Sequence, residues 1–373
     1  MYATLALQFS LVFQLRKFVM ARSFFSLGSA AIAVLMVGSI TACNNTPTAT
    51  TEPGQGENAT KAPASLTLVS YAVTRDAFEK IIPKFSEEWK SKTGQDVTFE
   101  QSYGGSGSQT RAVVDGLEAD IVALALSSDV QKIESAGLIQ PGWEQEAPNG
   151  SIVTNSVIAF VTRASDNIKV EKWSDLANPE VKVITANPKT SGGARWNFLG
   201  IWGSVTKTGG TEAQAFDFAG KVLVNAPVLP KDARESTDVF YKQGQGNVLL
   251  NYENEVLLAK QKGEDQPYVI PQDFNVSISG PVAVVDTNVD KKGTREVADA
   301  FVQYLFTPEA QQIFAETGFR PVNEDVLAKF ASQYPKVENL ATIEDFGGWK
   351  KAQAEFFDEG GIFDKVITKI GKQ

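Results

Sequence analysis

The chain has 373 residues, with 35 lysine and arginine residues against 44 aspartate and glutamate residues, no histidine and one cysteine. This composition excludes Ser-His-Asp and Cys-His nucleophiles, histidine zinc sites, intramolecular disulfides and iron–sulfur clusters. The length predicts two domains with full cores, and 43% apolar against 21% charged residues predicts a soluble globular protein.

The first 42 residues have the features of a secretory signal peptide. Three basic residues, Arg16, Lys17 and Arg22, precede a largely apolar run without charges over residues 23–42. Met20 lies just before Arg22 and is an alternative start, with residues 1–19 as an extension. A single membrane-spanning helix is the other interpretation, because about 20 apolar residues can cross a bilayer.

The position of the single cysteine favours the signal peptide. Cys43 directly follows the apolar run in the sequence Ile40-Thr41-Ala42-Cys43, which resembles the bacterial lipobox. This resemblance implies that Cys43 becomes the lipidated N-terminus after cleavage. We therefore expect a periplasmic protein that is tethered to the outer face of the cytoplasmic membrane as a lipoprotein.

Residues 43–64 are rich in threonine, asparagine, proline and glycine and predict a flexible tether. Without the three basic residues of the leader, the remaining chain carries 32 basic and 44 acidic residues, a net charge of −12. This balance argues against nucleic-acid partners and anionic membrane surfaces, because both require basic patches. We expect membrane contact through the lipid anchor only.

Beyond the tether, β-like runs alternate with helical ones. The runs that predict strands lie over residues 65–72, 96–103, 119–126, 151–163, 181–188, 221–229, 246–254, 267–272 and 276–287. A long amphipathic helical region follows, from Thr294 to about Phe314. This alternation predicts an α/β fold with mainly parallel sheets flanked by helices.

The run over residues 151–163 is a candidate crossover between two lobes. We assign residues 65–155 to the first part of lobe 1, residues 156–275 to lobe 2, and residues 276–340 to the return of the chain to lobe 1. Residues 341–373 are predicted to form a C-terminal helical tail.

The glycine-rich turn GGSG at residues 104–107 lies between a predicted strand and a predicted helix. Thr110 stands where a dinucleotide-binding motif needs glycine, a Walker A loop would need a lysine, and a nucleophile elbow would need glycine in place of Ser108. What remains is a helix start with free N–H groups, which can bind an anion without a cationic side chain. An ordinary connecting turn is the alternative interpretation.

Two more turns share this pattern. The sequence SGGARWN (residues 191–197) follows one predicted strand, and KDAREST (residues 231–237) follows another and opens a helix. Each turn alone has the same ordinary interpretation. Three of them at strand ends in two facing lobes predict a ligand site, because α/β sheets bind ligands at the carboxyl ends of their strands.

Several segments together resemble the prokaryotic sulfate-binding proteins of ABC importers. They are SYAVTRDAFE, QSYGGSGSQ, GLEADIVALAL, NPKTSGGARWN, DARESTDVF, NYENEVLLA and FGGWKKAQ. The resemblance extends from about Ser65 to Phe363. It implies the type II periplasmic-binding-protein fold, with a ligand cleft between two lobes, and a binding protein that is not an enzyme and has no cofactor or metal.

The resemblance also implies which residues bind the ligand. The implied donors are the N–H and hydroxyl groups of Ser106, the hydroxyl of Ser191, the N–H groups of Gly192, Gly193 and Ala233, and the side chain of Tyr252. The best-known members of the family have a tryptophan in a WENE motif at this last position, where this chain has NYENE. A phenol also donates, but it is shorter than an indole and can accept as well. The family's YDPTR motif is altered to YAVTR at residues 71–75.

Charged and aromatic residues beside the turns have simpler expected roles. We expect Arg111, Arg195 and Arg234 to pair with neighbouring carboxylates and not with the ligand, because a direct arginine clamp would favour phosphate as readily. Glu253 and Glu255 are expected to face solvent or these arginines. The aromatic side chains at helical spacing after SGG are expected to pack in the core; they are Trp196, Phe198 and Trp202.

The predicted function is capture of sulfate, or a related tetrahedral oxyanion, by a monomer that delivers it to an ABC permease and its ATPase. Sulfate only accepts hydrogen bonds at neutral pH, whereas phosphate keeps a proton, so a pocket of donors suits sulfate. Tyr252 leaves thiosulfate, molybdate and tungstate open as ligands. A metal-dependent phosphate or sulfate ester hydrolase lacks a clustered acidic motif, and a purely structural lipoprotein leaves the three turns unexplained.

Overall fold

The structure is a computed structural model that describes residues 61–371. The predicted signal peptide, Cys43, the alternative start at Met20 and most of the predicted tether lie outside the described residues. Between residues 61 and 371 no helix is long and apolar enough to cross a membrane.

The described chain alternates strands and helices. The strands are β1 (Ala64–Tyr71), β2 (Val97–Gly104), β3 (Ile121–Ala123), β4 (Ile152–Ser156), β5 (Ile158–Thr162), β6 (Val183–Ile184), β7 (Val248–Tyr252), β8 (Tyr268–Val269), β9 (Asn275–Val276), β10 (Ile278–Val284), β11 (Arg320–Pro321) and β12 (Leu340–Ala341). The α-helices are α1 (Arg75–Thr93), α2 (Ser106–Val114), α3 (Ser127–Ser135), α4 (Gly192–Thr206), α5 (Glu212–Val224), α6 (Ala233–Tyr241), α7 (Glu253–Gln261), α8 (Asp286–Lys292), α9 (Arg295–Tyr304), α10 (Pro308–Glu316), α11 (Glu324–Lys329), α12 (Gly348–Ala352) and α13 (Ile362–Lys369).

The first lobe is built on a six-stranded sheet with the order β11-β4-β10-β3-β1-β2. Strand β1 runs parallel to β2 and β3, so the carboxyl ends of these three strands meet at one edge of the sheet. Strand β10 is antiparallel to β3 and β4, and β11 is antiparallel to β4. The sheet is therefore mixed, and the expectation of a mainly parallel sheet is wrong for it.

The second lobe is built on a four-stranded sheet with the order β6-β7-β5-β8. Strands β6 and β7 are parallel, whereas β5 is antiparallel to both β7 and β8. This sheet is also mixed.

The chain passes between the sheets at two adjacent crossings. Strand β4 ends at Ser156 in the first sheet and β5 begins at Ile158 in the second, within the single run predicted over residues 151–163. The return crossing leads from β8 of the second sheet to β10 of the first through β9, which pairs with β12 in a separate parallel two-stranded sheet. The amide of Asn275 joins the crossings, because its Oδ1 accepts from the Ile158 N–H at 3.0 Å and its Nδ2 donates to the Ile158 carbonyl at 2.9 Å.

Two predicted elements differ from the structure. The strand predicted over residues 221–229 is wrong, because helix α5 continues to Val224. The helix buries Ala215, Ala219 and Val222 at helical spacing, and this periodicity outweighs the short apolar run that suggested a strand. The predicted helical region from Thr294 is two helices, α9 and α10. Thr307 caps the second of them and Pro308 occupies its first position.

Helix α4 is buried almost all round, which fixes the turn at its start. Its aromatic side chains pack against the C-terminal segment: the ring centroids of Trp196 and Trp349 are 4.6 Å apart and those of Phe198 and Phe363 are 5.6 Å apart. Trp202 packs on Phe356 at 5.4 Å. These contacts confirm that the three aromatic residues after SGG are core residues. The C-terminal tail thus covers the helix that presents the second turn.

Candidate ligand-binding site

The starts of helices α2, α4 and α6 meet at one small cavity between the two lobes. The cavity has a volume of about 10 Å³ and is lined by Tyr71, Ala72, Val73, Gly104, Gly105, Ser106, Ala125, Ser191, Gly192, Gly193, Asp232, Ala233 and Tyr252. All six ligand-binding residues predicted from the sequence are among these lining residues. No lysine or arginine is among the described residues that line it.

The first turn presents the N–H of Ser106 at the start of helix α2. Strand β2 ends at Gly104, and Gly105 caps the helix in an extended conformation. The Ser106 hydroxyl, however, donates to Asp129 Oδ2 at 2.7 Å and accepts from the Ala125 N–H at 3.1 Å. The single proton of this hydroxyl is therefore donated to Asp129, and in this conformation the hydroxyl cannot make the predicted contact to the ligand. Only the N–H of Ser106 can donate to the ligand.

The second turn presents the N–H groups of Gly192 and Gly193, which lie in the first turn of helix α4 and have no intrahelical acceptor. The Ser191 hydroxyl accepts from the Ala194 N–H at 3.3 Å, which leaves its proton free to donate. Both glycines are required by close contacts. A Cβ on Gly192 would lie 2.6 Å from the Ala125 Cβ, and one on Gly193 would lie 2.6 Å from Tyr252 Cε2.

The third turn presents the N–H of Ala233 at the start of helix α6. Asp232 caps this helix, with its Oδ1 accepting from the Glu235 N–H at 2.8 Å. One oxygen of the carboxylate at the cavity wall is thereby bound to its own helix. The turn follows the loop after helix α5 and not a strand, which corrects the predicted strand-end position of this third site.

Tyr252 closes one side of the cavity. It is the last residue of β7, its side chain is 2% exposed, and its ring centroid lies 6.2 Å from that of Tyr71. Its hydroxyl has no hydrogen-bond partner among residues 61–371. Burial raises the pKa of Tyr252 well above its ordinary value, so the phenol stays neutral.

Arg195 lies behind the second turn and joins the two lobes. Its Nη1 donates to Asp129 Oδ1 at 2.8 Å, and its Nε donates to the Pro188 carbonyl at 2.9 Å. Burial alone would raise the pKa of Asp129, but the charges of Arg195 and Lys132 and the hydrogen bond from Ser106 lower it below its ordinary value. Arg195 therefore pairs with a carboxylate, that of Asp129, as expected from the sequence.

Arg234 forms a second connection between the lobes. It donates to Glu255 Oε2 at 2.9 Å and to Asp76 Oδ2 at 3.0 Å, and Lys262 reaches the other oxygen of Asp76 at 2.7 Å. Burial would lower the pKa of Arg234, but the two carboxylates raise it above its ordinary value. Arg234 therefore pairs with carboxylates as expected.

Arg111 and Glu253 differ from their expected roles. Arg111 donates to the Lys189 carbonyl at 3.3 Å and to the Ser108 hydroxyl at 3.2 Å, so its acceptors in the described structure are neutral oxygens. Glu253 is buried and pairs with Arg320 at 2.6 Å, not with solvent or with the three arginines named above. Burial raises the pKa of Glu253, against the opposing effect of Arg320.

The residues at the site that were missed from the sequence include Ala72 and Asp129. Ala72 lines the cavity where β1 ends and a 3₁₀ turn (Ala72–Thr74) begins, within the altered YAVTR segment. The position of this segment at the carboxyl end of a predicted strand was a signal that could have identified it. Asp129 supports the Ser106 and Arg195 side chains, but nothing local in its sequence indicates that role.

The description of the matching family agrees with this geometry. A family model described as "Bacterial extracellular solute-binding protein" matches residues 66–320, more than half of the chain. The chain belongs to this family. Membership implies an extracytoplasmic location.

Individual relatives agree with this assignment. A protein of Synechocystis sp. named "Sulfate-binding protein" is 93% identical over 354 residues, which cover 95% of this chain and 100% of the relative. A "Thiosulfate-binding protein" of Pseudomonas aeruginosa is 37% identical over 302 residues, which cover 80% of this chain and 91% of that protein. These relatives confirm the predicted family and the expectation that this solute-binding protein is not an enzyme.

A solved structure supports the fold. The sulfate-binding protein SubI of Mycobacterium tuberculosis superimposes with a TM-score of 0.72 at 34% identity, covering 79% of this chain and all of that chain. The match confirms the two-lobed periplasmic-binding-protein fold predicted from the sequence, although the sheets of this solute-binding protein are mixed.

Proposed function

We propose that this solute-binding protein captures sulfate outside the cytoplasmic membrane and delivers it to an ABC permease. One observation carries the proposal: the first turns of three helices from two lobes converge on a cavity whose described lining has no basic side chain. Helix N-termini bind anions through free N–H groups and the helix dipole. The names of the relatives from Synechocystis sp. and Mycobacterium tuberculosis support sulfate as the anion.

The proposed contacts are all hydrogen-bond donors. They are the N–H groups of Ser106, Gly192, Gly193 and Ala233 and the hydroxyl groups of Ser191 and Tyr252. The Tyr252 hydroxyl is the most informative of them, because a buried hydroxyl without a partner is rare and costs about 1–3 kcal/mol. A bound anion would supply the missing acceptor.

Donors alone explain how sulfate is preferred to phosphate. Sulfate is fully deprotonated at neutral pH and can accept a hydrogen bond at every oxygen. Phosphate keeps at least one proton, which would be buried without an acceptor at a cost of about 1–3 kcal/mol from that group alone. In the Asp232 carboxylate at the cavity wall, Oδ1 already accepts from the Glu235 N–H.

The net charge of the mature chain is consistent with local capture. A charge of −12 would repel a dianion at long range. Exposed charges are screened beyond about 8 Å at physiological ionic strength, so the oriented N–H groups at the helix starts dominate at the site. We propose that these dipoles, and not a positive surface, attract the ligand.

Delivery requires that the lobes open and close. Hydrogen bonds and an ion pair between the lobes stabilise the closed state. Arg195 bonds to Asp129 across the cleft, and the Trp196 indole N–H donates to the Ala125 carbonyl at 3.1 Å. We propose that these bonds form on ligand binding and break at the permease. We also propose that the protein acts as a monomer tethered through lipidated Cys43 by the segment that follows it.

A related ligand is the second candidate. Tyr252 stands where the best-known sulfate-binding proteins have a tryptophan, and a relative from Pseudomonas aeruginosa is named a thiosulfate-binding protein. Thiosulfate, molybdate and tungstate are also dianions without protons at neutral pH, so the donor-only site does not exclude them.

Isothermal titration with sulfate, thiosulfate, molybdate and phosphate tests the proposal. We expect sulfate to bind most tightly and phosphate at least about tenfold more weakly, as one unpaired buried proton requires. A preference for phosphate would contradict the donor-only site. A preference for thiosulfate or molybdate would retain the transport role and change the ligand.

The substitution Tyr252→Phe should change affinity and stability in opposite directions. Loss of a donor to a charged ligand should weaken sulfate binding by about 1.5–3 kcal/mol, which is about 10- to 150-fold. The ligand-free protein should be at least as stable as wild type, because a buried hydroxyl without a partner is removed. Titration and thermal melting measure the two effects. Unchanged affinity would show that Tyr252 does not contact the anion.

The affinity for sulfate should be independent of pH between about pH 5 and pH 8. The chain has no histidine, and the raised pKa keeps Tyr252 neutral throughout this range. The pKa of Asp129 is lowered, so its ion pair with Arg195 is intact above the ordinary range of an aspartate and weakens only in stronger acid. Titrations at constant ionic strength check this expectation. A midpoint near neutral pH would reveal a titrating group at the site.

A further inference from the structure

We propose that Gly105 sets the distance between the closed lobes and thereby makes the binding site favour sulfate over larger tetrahedral oxyanions. The inference rests on the proposed function, because it concerns the same cavity. Gly105 caps helix α2 with φ −63° and ψ 134°, which is ordinary extended backbone. Any residue can adopt this conformation, so the backbone dihedral angles do not explain why glycine occupies this position.

The reason for glycine is the backbone of the opposite lobe. A Cβ on Gly105 would lie 2.5 Å from the Thr190 carbonyl oxygen and 3.0 Å from the Lys231 carbonyl oxygen. Gly105 belongs to the first lobe. In the second lobe, Thr190 directly precedes the second turn and Lys231 is the first residue of the third turn. The backbones of the two lobes are thus in contact at a point where a side chain would hold them apart, and separation of the lobes would break this contact.

The contact surface on the second lobe is held firmly. The Thr190 hydroxyl donates to the Lys231 carbonyl at 2.6 Å, which ties the second turn to the third. The Thr190 N–H donates to the Asn187 carbonyl at 3.1 Å, and the Lys231 N–H donates to Glu235 Oε2 at 2.7 Å. Because these bonds fix the two carbonyls, an added methyl group would be accommodated by separation of the lobes.

The size of that separation follows from the contact distance. Relief of a 2.5 Å contact to the range of 3.0–3.4 Å requires a movement of about 0.5–0.9 Å. Gly105 lines the ligand cavity next to Ser106, and Gly192 and Gly193 line its other side. The same movement would therefore carry the donors of the two lobes apart around the ligand and lengthen the bond between Arg195 and Asp129.

Anions that differ only in size test this inference. Selenate and molybdate are tetrahedral dianions without protons at neutral pH, like sulfate, but their bonds to oxygen are longer. Each of them needs more room between the lobes than sulfate does. Wild type should therefore prefer sulfate to selenate and selenate to molybdate.

The experiment compares wild type with Gly105→Ala in titrations with the three anions. Gly105→Ala should bind sulfate about tenfold more weakly and molybdate about as tightly as wild type does, so that the ratio of sulfate to molybdate affinity falls by about tenfold. The control is Gly220→Ala, which adds the same group to a buried glycine of helix α5 whose nearest neighbour is Ile370 Cγ2 at 3.6 Å. This control should keep the wild-type ratio.

Each result decides the inference. An unchanged affinity ratio in Gly105→Ala would overturn it while leaving the proposed function intact. Wild type that binds none of the anions would overturn the proposed function and this inference with it. Melting of the ligand-free protein is the second measurement: Gly105→Ala should melt like wild type, because the open lobes do not touch. Ligand-free Gly105→Ala that fails to fold would show that the contact lies within the fold of one lobe, which also contradicts the inference.

Discussion

Gly193→Val is expected to abolish sulfate binding, with a loss of at least about 100-fold. A Cβ at this position would lie 2.6 Å from Tyr252 Cε2 and 2.8 Å from the Tyr252 hydroxyl oxygen. The valine would displace the phenol ring, cover the Gly193 N–H and place methyl groups in the cavity. Two donors and the space for the anion are lost together, which is why this effect should exceed that of Tyr252→Phe. Titration with sulfate measures it.

The control variant for the position of the substitution within a helix is Ala213→Val. Gly193 is the second residue of helix α4, and Ala213 is the second residue of helix α5, where its side chain is exposed. Both variants place a β-branched residue at the second position of a helix, but only Gly193 faces the cavity. Ala213→Val should bind sulfate like wild type. Tight sulfate binding by folded Gly193→Val would mean that the second turn is not part of the site.

Asp129→Asn is expected to weaken sulfate binding by about 3 kcal/mol, or about 100-fold, mainly through faster release. Asp129 is fully buried and Arg195 is 4% exposed, and their 2.8 Å bond connects helix α3 of the first lobe with helix α4 of the second. Without the carboxylate, closure would bury the guanidinium without its counter-charge. The cost should fall on the closed state, because open lobes leave Arg195 in contact with water.

The matched control is Asp217→Asn, which removes an aspartate from an exposed pair with Lys369. Exposed pairs contribute about 0–1 kcal/mol, so its sulfate affinity should stay near that of wild type. Stopped-flow release kinetics and melting of the ligand-free protein separate closure from folding. An Asp129→Asn variant with wild-type release would show that the pair does not hold the lobes closed.

The local parts of the site could be predicted from the sequence because helix starts are local features. A capping residue, two small residues and the following helix place Ser191, Gly192 and Gly193 without reference to the rest of the molecule. The same holds for Asp232 and Ala233 at the third turn. Tyr252 stood out because it replaces a tryptophan within a motif that otherwise matches.

The prediction of secondary structure failed where a strand-like run overlaps a longer helical periodicity. The run KVLVNAPVL has adjacent apolar residues that favour a strand, but the preceding segment carries a capping box at Thr211 and Gln214. A helix that begins there extends through Val222 with one face in the core. The period over the whole segment decides such cases, and the short run alone does not.

Contacts between residues that are far apart in the chain could not be predicted from the sequence. Asp129 and Arg195 are 66 positions apart, and Glu253 and Arg320 are 67 apart. Likewise, the reason for glycine at Gly105 is visible only when the opposite lobe is in place. The unexpected bond from the Ser106 hydroxyl to Asp129 belongs to the same class, because only the packing of helix α3 brings the carboxylate to it.

A crystal structure of the sulfate complex tests the central claim most directly. The account predicts sulfate oxygens about 2.7–3.2 Å from the N–H groups of Ser106, Gly192, Gly193 and Ala233 and from the hydroxyl groups of Ser191 and Tyr252. It also predicts Arg195 and Arg234 on Asp129 and Glu255, as in the present structure. A guanidinium or ammonium group, a carboxylate or a metal ion in direct contact with the sulfate would contradict the claim that neutral donors alone hold the anion.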